Sequence, residues 1–187
     1  MCKHNAFASL GLFVALALTI GNVWSAEPLI VYGGFEQGLM NPWGTGLYSE
    51  GRPLWWNSGD CHSTAEIDET GAIEGAAALH IINPSPRAAQ VYGTVAQRIR
   101  IEPNRPYRIT VWVRGLDLAS AGAVALVVDD AWRVRPVTLS AGTYAWTRLS
   151  GTFSLPTDYA DIRILSEDAG EAWIDDVRIE PLDTLIQ

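Results

Sequence analysis

The chain has 187 residues, of which 48% are apolar, and a formal net charge of −8. That length holds one domain of ordinary size. An acidic chain without a basic run repels phosphate backbones, which argues against nucleic acid and anionic membrane surfaces as partners.

The first 26 residues differ from the rest. Lys3 and His4 make a short basic start, and Phe7 to Ile20 is an apolar run without a charge. Val23-Trp24-Ser25 then places small residues where a signal peptidase reads. This order predicts a signal peptide over residues 1–26, with cleavage before Ala26 or Glu27 and a secreted or periplasmic product. A retained anchor is the alternative, but the run is shorter than the roughly 20 residues a span needs. Lys3 is the only lysine, so residues 27–187 carry 12 arginines against 21 acids, or 12 − 21 = −9. Their partner is expected to be neutral, or to meet a local arginine cluster.

After residue 27 strand signals recur and helical periodicity does not. Strands are expected over Leu29–Phe35, Ala78–Ile82, Val95–Ile101, Tyr107–Arg114, Ala123–Val128, Val134–Leu139, Tyr144–Phe153, Asp161–Leu165 and Ala172–Ile179. The region Pro42–Thr70 reads as irregular. Val95, Ile99 and Ile101 share one face, with Arg98 and Arg100 on the other. Tyr107, Ile109, Val111 and Val113 alternate with Arg108, Thr110, Trp112 and Arg114. Short strands separated by Gly, Pro, Asn and Asp predict an all-β domain over residues 27–187, a β-sandwich of jelly-roll type. Cys61 is the lone cysteine of this region. It can make no internal disulfide and reads as a small buried apolar residue.

Chemistry-bearing residues are few. His62 and His80 are the only histidines after His4, too few for a zinc cluster, and no Gly-x-Ser-x-Gly turn occurs. Cys61 and His62 are adjacent and face opposite ways on a strand. So do the members of Asp129-Asp130 and Asp175-Asp176, whereas glycosidase carboxylates face one another across a cleft. A pair assembled by folding, such as Glu50 with Asp129, stays open. Asp175 is in phase with Val177 and Ile179 and is expected to point inward. A buried carboxylate there needs a partner: calcium suits it, and capping of backbone amides is the alternative.

Aromatic residues are the stronger signal. Seven tryptophans and six tyrosines lie beyond residue 26, with only Phe35 and Phe153 among the phenylalanines. Flat rings with a polar edge suit surfaces that stack on a partner and still hydrogen-bond. Trp112 is out of phase with the core of its strand, beside Arg114, and Trp55, Trp56, Trp132 and Tyr92 fall in loops or at strand ends. These six residues are the candidate ligand contacts; Trp43 fits either a core or a surface role.

The ordered set Gly33-Gly34-Phe35-Glu36-x-Gly38, Trp43, Glu74-Gly75, Ala78-Leu79-His80-Ile81 and Gln97-x-Ile99 opens a recognisable pattern. Tyr107-x-Ile109-x-Val111-Trp112-Val113-Arg114-Gly115, Trp146-x-x-Leu149-Ser150-Gly151-Thr152-Phe153 and Trp173-Ile174-Asp175-Asp176-Val177 complete it. Together they resemble the carbohydrate-binding modules grouped as families 4, 9 and 22. The resemblance implies non-catalytic binding of a neutral polysaccharide or oligosaccharide. It also implies a structural calcium held by Glu36, the Gly75 turn and Asp175, with Trp146 and Trp173 in the core. One departure is Asn104-Arg105-Pro106, where the family usually carries a glycine before Tyr107. A small jelly-roll glycoside hydrolase or polysaccharide lyase, and an envelope structural or adhesive protein that binds another protein, are the alternatives.

Overall fold

A computed structural model describes residues 28–46 and 51–182; the expected signal peptide and Glu50 lie outside them. The strands are β1 (Trp56–Ser58), β2 (Thr64–Asp68), β3 (Ala78–Asn83), β4 (Tyr92–Arg100) and β5 (Tyr107–Leu118). They continue as β6 (Val124–Val127), β7 (Val137–Thr138), β8 (Gly142–Phe153), β9 (Tyr159–Ser166) and β10 (Gly170–Pro181). Two five-stranded antiparallel sheets form, ordered β1-β4-β9-β6-β7 and β2-β3-β10-β5-β8. No helix occurs among the described residues, hence none long and apolar enough to cross a membrane. The all-β sandwich expected from the strand spacing is the observed architecture.

Period-two alternation explains the core. Val95 and Ile99 of β4, Ile109, Val111 and Val113 of β5, Ile162 and Ile164 of β9, and Ile174 of β10 all enter one buried cluster between the sheets. β-Branched side chains pack well on a pleated surface. Each such residue, fully buried, contributes about 1.5–3 kcal/mol. Phe35 and Trp43 close one end, stacked with ring centroids 5.6 Å apart and both fully buried, which settles Trp43 as core. Cys61 is buried as expected, against the Ser63 hydroxyl.

Three expectations need correction. Leu29–Phe35 is not a strand: Tyr32 and Phe35 both take φ of 57°, and the segment turns twice instead of extending. Its backbone pairs locally, Phe35 N donating to Tyr32 O. The buried Gln97 side chain clamps both polar groups of Val31, its amide donating to Val31 O and its carbonyl accepting from Val31 N, each at 2.9 Å. Second, the stretch read as irregular contains β1 and β2, edge strands of 3 and 5 residues. Third, Asp175 does not face the core. It pairs in register with Trp112, an outward residue, and a bulge at Asp176, where φ is 51°, resets the phase before Val177. A bulge inserts one residue and inverts the alternation beyond it. The missing glycine before Tyr107 is absorbed without change of fold, because Asn104 itself adopts φ of 61°, and asparagine tolerates the left-handed region better than most residues.

Candidate functional site

The outward face of the first sheet carries charge where solvent is expected. Ile162 and Ile164 of β9 enter the core, so Asp161 and Arg163 project outward, yet both are 0% exposed. Arg98, in register with Asp161 on β4, chelates it: Nε donates to Oδ1 at 2.7 Å and Nη2 to Oδ2 at 2.9 Å. Arg163 Nη2 donates to Oδ2 at 3.3 Å. Two guanidiniums thus share one buried carboxylate. That arrangement holds only if ion and hydrogen-bond partners replace the lost water. The Asp161 carboxylate holds the Arg98 pKa above its ordinary value, chiefly through this hydrogen bond. Gly46, at φ of +115°, lies so close that a Cβ there would sit 2.8 Å from Asp161 Oδ1.

Aromatic rings cover this charged floor. Trp132 lies over the Arg163 guanidinium at 4.5 Å, a cation–π contact strengthened by burial. The turn that carries it is held by Asp129, whose Oδ1 accepts from Arg133 N at 2.9 Å and Val134 N at 2.8 Å, and Trp132 itself takes φ of 63°. Tyr92 meets Trp132 edge to face at 4.8 Å, and Trp56 meets Tyr92 likewise at 5.7 Å. Arg52 lies 4.0 Å over the Trp56 ring. The buried Trp56 indole N–H has no hydrogen-bond partner among the described residues. Across the face Arg98 stacks on Tyr159 at 4.2 Å, and the Tyr159 hydroxyl donates to Asp130 at 3.0 Å, which raises its pKa. A cleft of about 570 Å³ opens beside the half-buried Tyr92 and Trp132. Its walls include Gln90, Asp130, Arg133, and the Arg135–Glu167 ion pair at 2.6 Å.

The six candidate ligand residues therefore divide. Trp56, Tyr92 and Trp132 are brought together here. Trp55 instead packs against the core, its Nε1 donating to Ser63 Oγ at 3.1 Å. Trp112 and Arg114 sit on the outward face of the second sheet. There Glu66, His80, Trp173 and Arg114 form one row across β2, β3, β10 and β5. His80 stacks on Trp173 at 4.1 Å, and Arg114 lies 4.3 Å from the same ring. Trp173 Nε1 donates to Asp68, whose carboxyl is held down at about 2, chiefly by the Thr70 hydroxyl. Trp173 is thus buried, but outside the core, and Trp146 is half-buried on the same outer side, donating to Gly71 O. Both differ from the core placement that the family resemblance implies. Arg52, Arg98, Tyr159, Asp161 and Arg163 are absent from the sequence-based candidates. The available signal was the alternation of Asp161 and Arg163 with Ile162 and Ile164.

Glu36 and Asp175, the carboxylates expected to hold a metal, both accept backbone amides of the turn over residues 73–77. Glu36 accepts from Ala76 N at 3.0 Å and Ala77 N at 3.2 Å. Gly75 permits this turn: its φ is +64°, and a Cβ would fall 2.1 Å from Glu36 Oε1. Asp175 Oδ2 accepts from Ile73 N and Glu74 N, both at 3.1 Å, so amide capping is real. Its Oδ1 is buried without a hydrogen-bond partner among the described residues. Burial raises the Asp175 pKa, against the amides that lower it. An orphaned, buried carboxylate oxygen fits a hard cation. No group of three or more His, Cys, Asp or Glu gathers among the described residues, so further ligands would be backbone carbonyls or water.

The chain matches no protein-family model and no curated protein. Its fold is shared by a family 61 carbohydrate-binding module solved in complex with β-1,4-galactotriose, at TM-score 0.56 and 17% identity, covering 84% of this chain and 100% of that one. A family 16 carbohydrate-binding module matches at TM-score 0.55 and 18% identity, covering 81% and 99%. The enzymatically active domain of a bacteriophage CBA120 tailspike protein matches at TM-score 0.51 and 14% identity, over 83% of this chain and 21% of that one. The architecture is thus a β-sandwich of the kind found in carbohydrate-binding modules. The resemblance to the family 4, 9 and 22 type holds at the level of fold.

The ion network gives a direct test. Asp161→Asn removes the carboxylate facing the buried Arg163 while keeping its shape. It should lower unfolding stability by about 3–5 kcal/mol in urea titrations; a loss below ~1 kcal/mol would mean that the network is not what holds this face.

Proposed function

We propose that residues 27–187 form an exported, non-catalytic carbohydrate-binding domain, a β-sandwich of jelly-roll type that holds a neutral polysaccharide on the outward face of its first sheet. The observation that carries the reading is the cleft edged by Tyr92 and Trp132, with Trp56 adjoining and arginines and carboxylates at its margin. Pyranose rings present C–H faces that stack on such rings, and the charged rim supplies donors and acceptors for hydroxyls. Trp56, buried beneath Arg52, backs the Tyr92 ring from behind. The fold neighbours support the reading, since two are carbohydrate-binding modules and one was solved with an oligosaccharide.

Each stacked ring contributes ~1 kcal/mol or a little more beyond its buried area, so affinities should be micromolar to millimolar. The domain should be retarded in gels containing xylan, β-glucan or β-1,4-galactan. Tyr92→Ala and Trp132→Ala should each weaken that retardation about five- to tenfold, with circular dichroism unchanged. Indifference to all three polymers would contradict the reading, and release of reducing ends on long incubation would hand the cleft to a hydrolase.

In the same proposal a structural calcium sits at Glu36, the Gly75 turn and Asp175, where it supplies a hard positive charge to buried oxygens. The folded-state pKa of Asp175 is raised, so its contribution to stability is present at low pH and lost as the pH rises through that value. A cation offsets this loss at neutral pH. Calcium at 100 times its dissociation constant should therefore add about 2.7 kcal/mol at pH 7. The gain should shrink as the pH falls into the carboxylate range and vanish in Asp175→Asn. A melting temperature indifferent to chelator, in protein shown to be metal-loaded beforehand, would refute the site.

Export rests on the charged start and apolar run before residue 26. Protein recovered outside the cytoplasm of a bacterial host should begin at Ala26 or Glu27, and a sequence starting at Met1 would contradict cleavage.

A further inference from the structure

The second sheet presents its own outward strip, on the far side of the sandwich from the cleft. Trp112 on β5 lies directly opposite Arg148 on β8, and Thr110 directly opposite Ser150. Opposed residues hold their Cβ atoms ~5 Å apart on one face, so indole and guanidinium are neighbours with two hydroxyl side chains one row away. Trp112 is half-buried, while Arg148 and Ser150 are exposed.

Charge on this strip is unevenly matched. Arg108 is paired with Glu180 at 3.2 Å, and Arg178 with Asp176 and Glu74. Arg148 has no ion-pair partner among the described residues, and the contact of Arg114 is with the Trp173 ring. Asp175, in register with Trp112, is buried and turned to the Ile73 and Glu74 amides. A shallow depression of about 250 Å³ is lined by Arg108, Thr110, Arg148, Ser150 and Glu180, the Glu180 carboxylate being taken up by Arg108, and another of about 400 Å³ lies along Arg114, Leu116 and Trp146. From Thr110 to Leu116 the strand runs ~20 Å, room for several sugar units in line.

We propose that the Trp112–Arg148 strip is a second glycan site, one that takes an acidic polysaccharide, a uronate ring stacking on Trp112 with its carboxylate on Arg148. Two cations without counter-ions beside an aromatic ring favour a ligand that carries both a carboxylate and a flat apolar face. The overall negative charge disfavours anions that bring charge alone, such as nucleic acid. The site shares a broad ligand class with the cleft but none of its residues.

Electrophoresis of the domain of residues 27–187 through gels containing polygalacturonate, β-1,4-galactan or dextran sulfate separates the possibilities. Polygalacturonate should retard the unsubstituted domain, and added salt should weaken the effect because an exposed ion pair is screened. Trp112→Ala and Arg148→Gln should each lose about tenfold in affinity for polygalacturonate, with unchanged circular dichroism. Arg148→Gln should keep any galactan retardation, and Tyr92→Ala should keep the polygalacturonate retardation. Acidic binding without neutral binding would sink the cleft reading and leave this one standing. No polygalacturonate retardation, equal retardation of Arg148→Gln and the unsubstituted domain, or its loss in Tyr92→Ala would each overturn the second site. Retardation by dextran sulfate alone would overturn the carboxylate assignment.

Discussion

Asp161 and Arg163 leave β9 on its outward face and are nevertheless sealed from solvent. A buried charge pair is tolerated only where other groups replace its lost water, and the rest of the first sheet's outer surface supplies them. The Trp132 ring lies over an Arg163 guanidinium whose Nε and Nη1 make no hydrogen bond among the described residues. Arg98 reaches across from β4, the Gly46 segment closes from one side, and the Trp132 turn caps the guanidinium from another. Tyr159 then packs under Arg98 and ties Asp130 to the floor. The aromatic cleft is a consequence of this requirement. Rings placed to exclude water from an ion pair also stand in a fixed array at the surface, the condition under which stacking costs little conformational entropy.

The two outward faces answer the same problem of covering a sheet in different ways. On the first sheet, loops bearing Trp132 and Gly46 roof over charge and leave a cleft between them. On the second, the turn after β2 folds down over β10, so that Glu36 and Asp175 both accept backbone amides of residues 73–77. The row Glu66–His80–Trp173–Arg114 then locks one flank of that turn through Asp68. Trp112 and Arg148, one row away, keep exposed surface. A ligand surface is thus proposed on each side of one core, and the calcium proposed at Asp175 would lie on the outward side of the second sheet, in register with Trp112.

The sequence disclosed the sandwich because most of its strands obey a single period. Tyr107 to Gly115 alternates so cleanly that its inward and outward sets can be assigned by inspection, and the structure agrees residue by residue up to Gly115. Legibility fails where local backbone departs from that period. Leu29–Phe35 has strand composition, but Tyr32 and Phe35 adopt left-handed φ that no composition rule anticipates. β1 and β2 are short edges whose pairing is decided by distant partners. The period puts Asp175 inward with Val177, whereas one bulge residue, Asp176, resets the phase and turns Asp175 outward. At the site, an out-of-phase tryptophan can be recognised as outward, but not assigned to a sheet. Trp112, out of phase on its strand, and Trp132, in a loop, are both candidate ligand contacts in sequence and stand on opposite sides of the molecule. The buried ion network escaped notice for a related reason, since an outward Asp or Arg on a strand ordinarily meets water.

The central claim is that the cleft on the first sheet is the surface a neutral glycan occupies. The seven indole N–H groups beyond residue 26 give separate signals in ¹H–¹⁵N correlation spectra, so titration with a β-1,4-linked oligosaccharide reads the location directly. The account predicts saturable shifts at the Trp132 and Trp56 indoles, with Trp43 and Trp173, both buried and hydrogen-bonded, unmoved. Shifts confined to Trp112 and Trp146 would contradict it, as would no shift at any indole with an oligosaccharide whose parent polymer retards the domain.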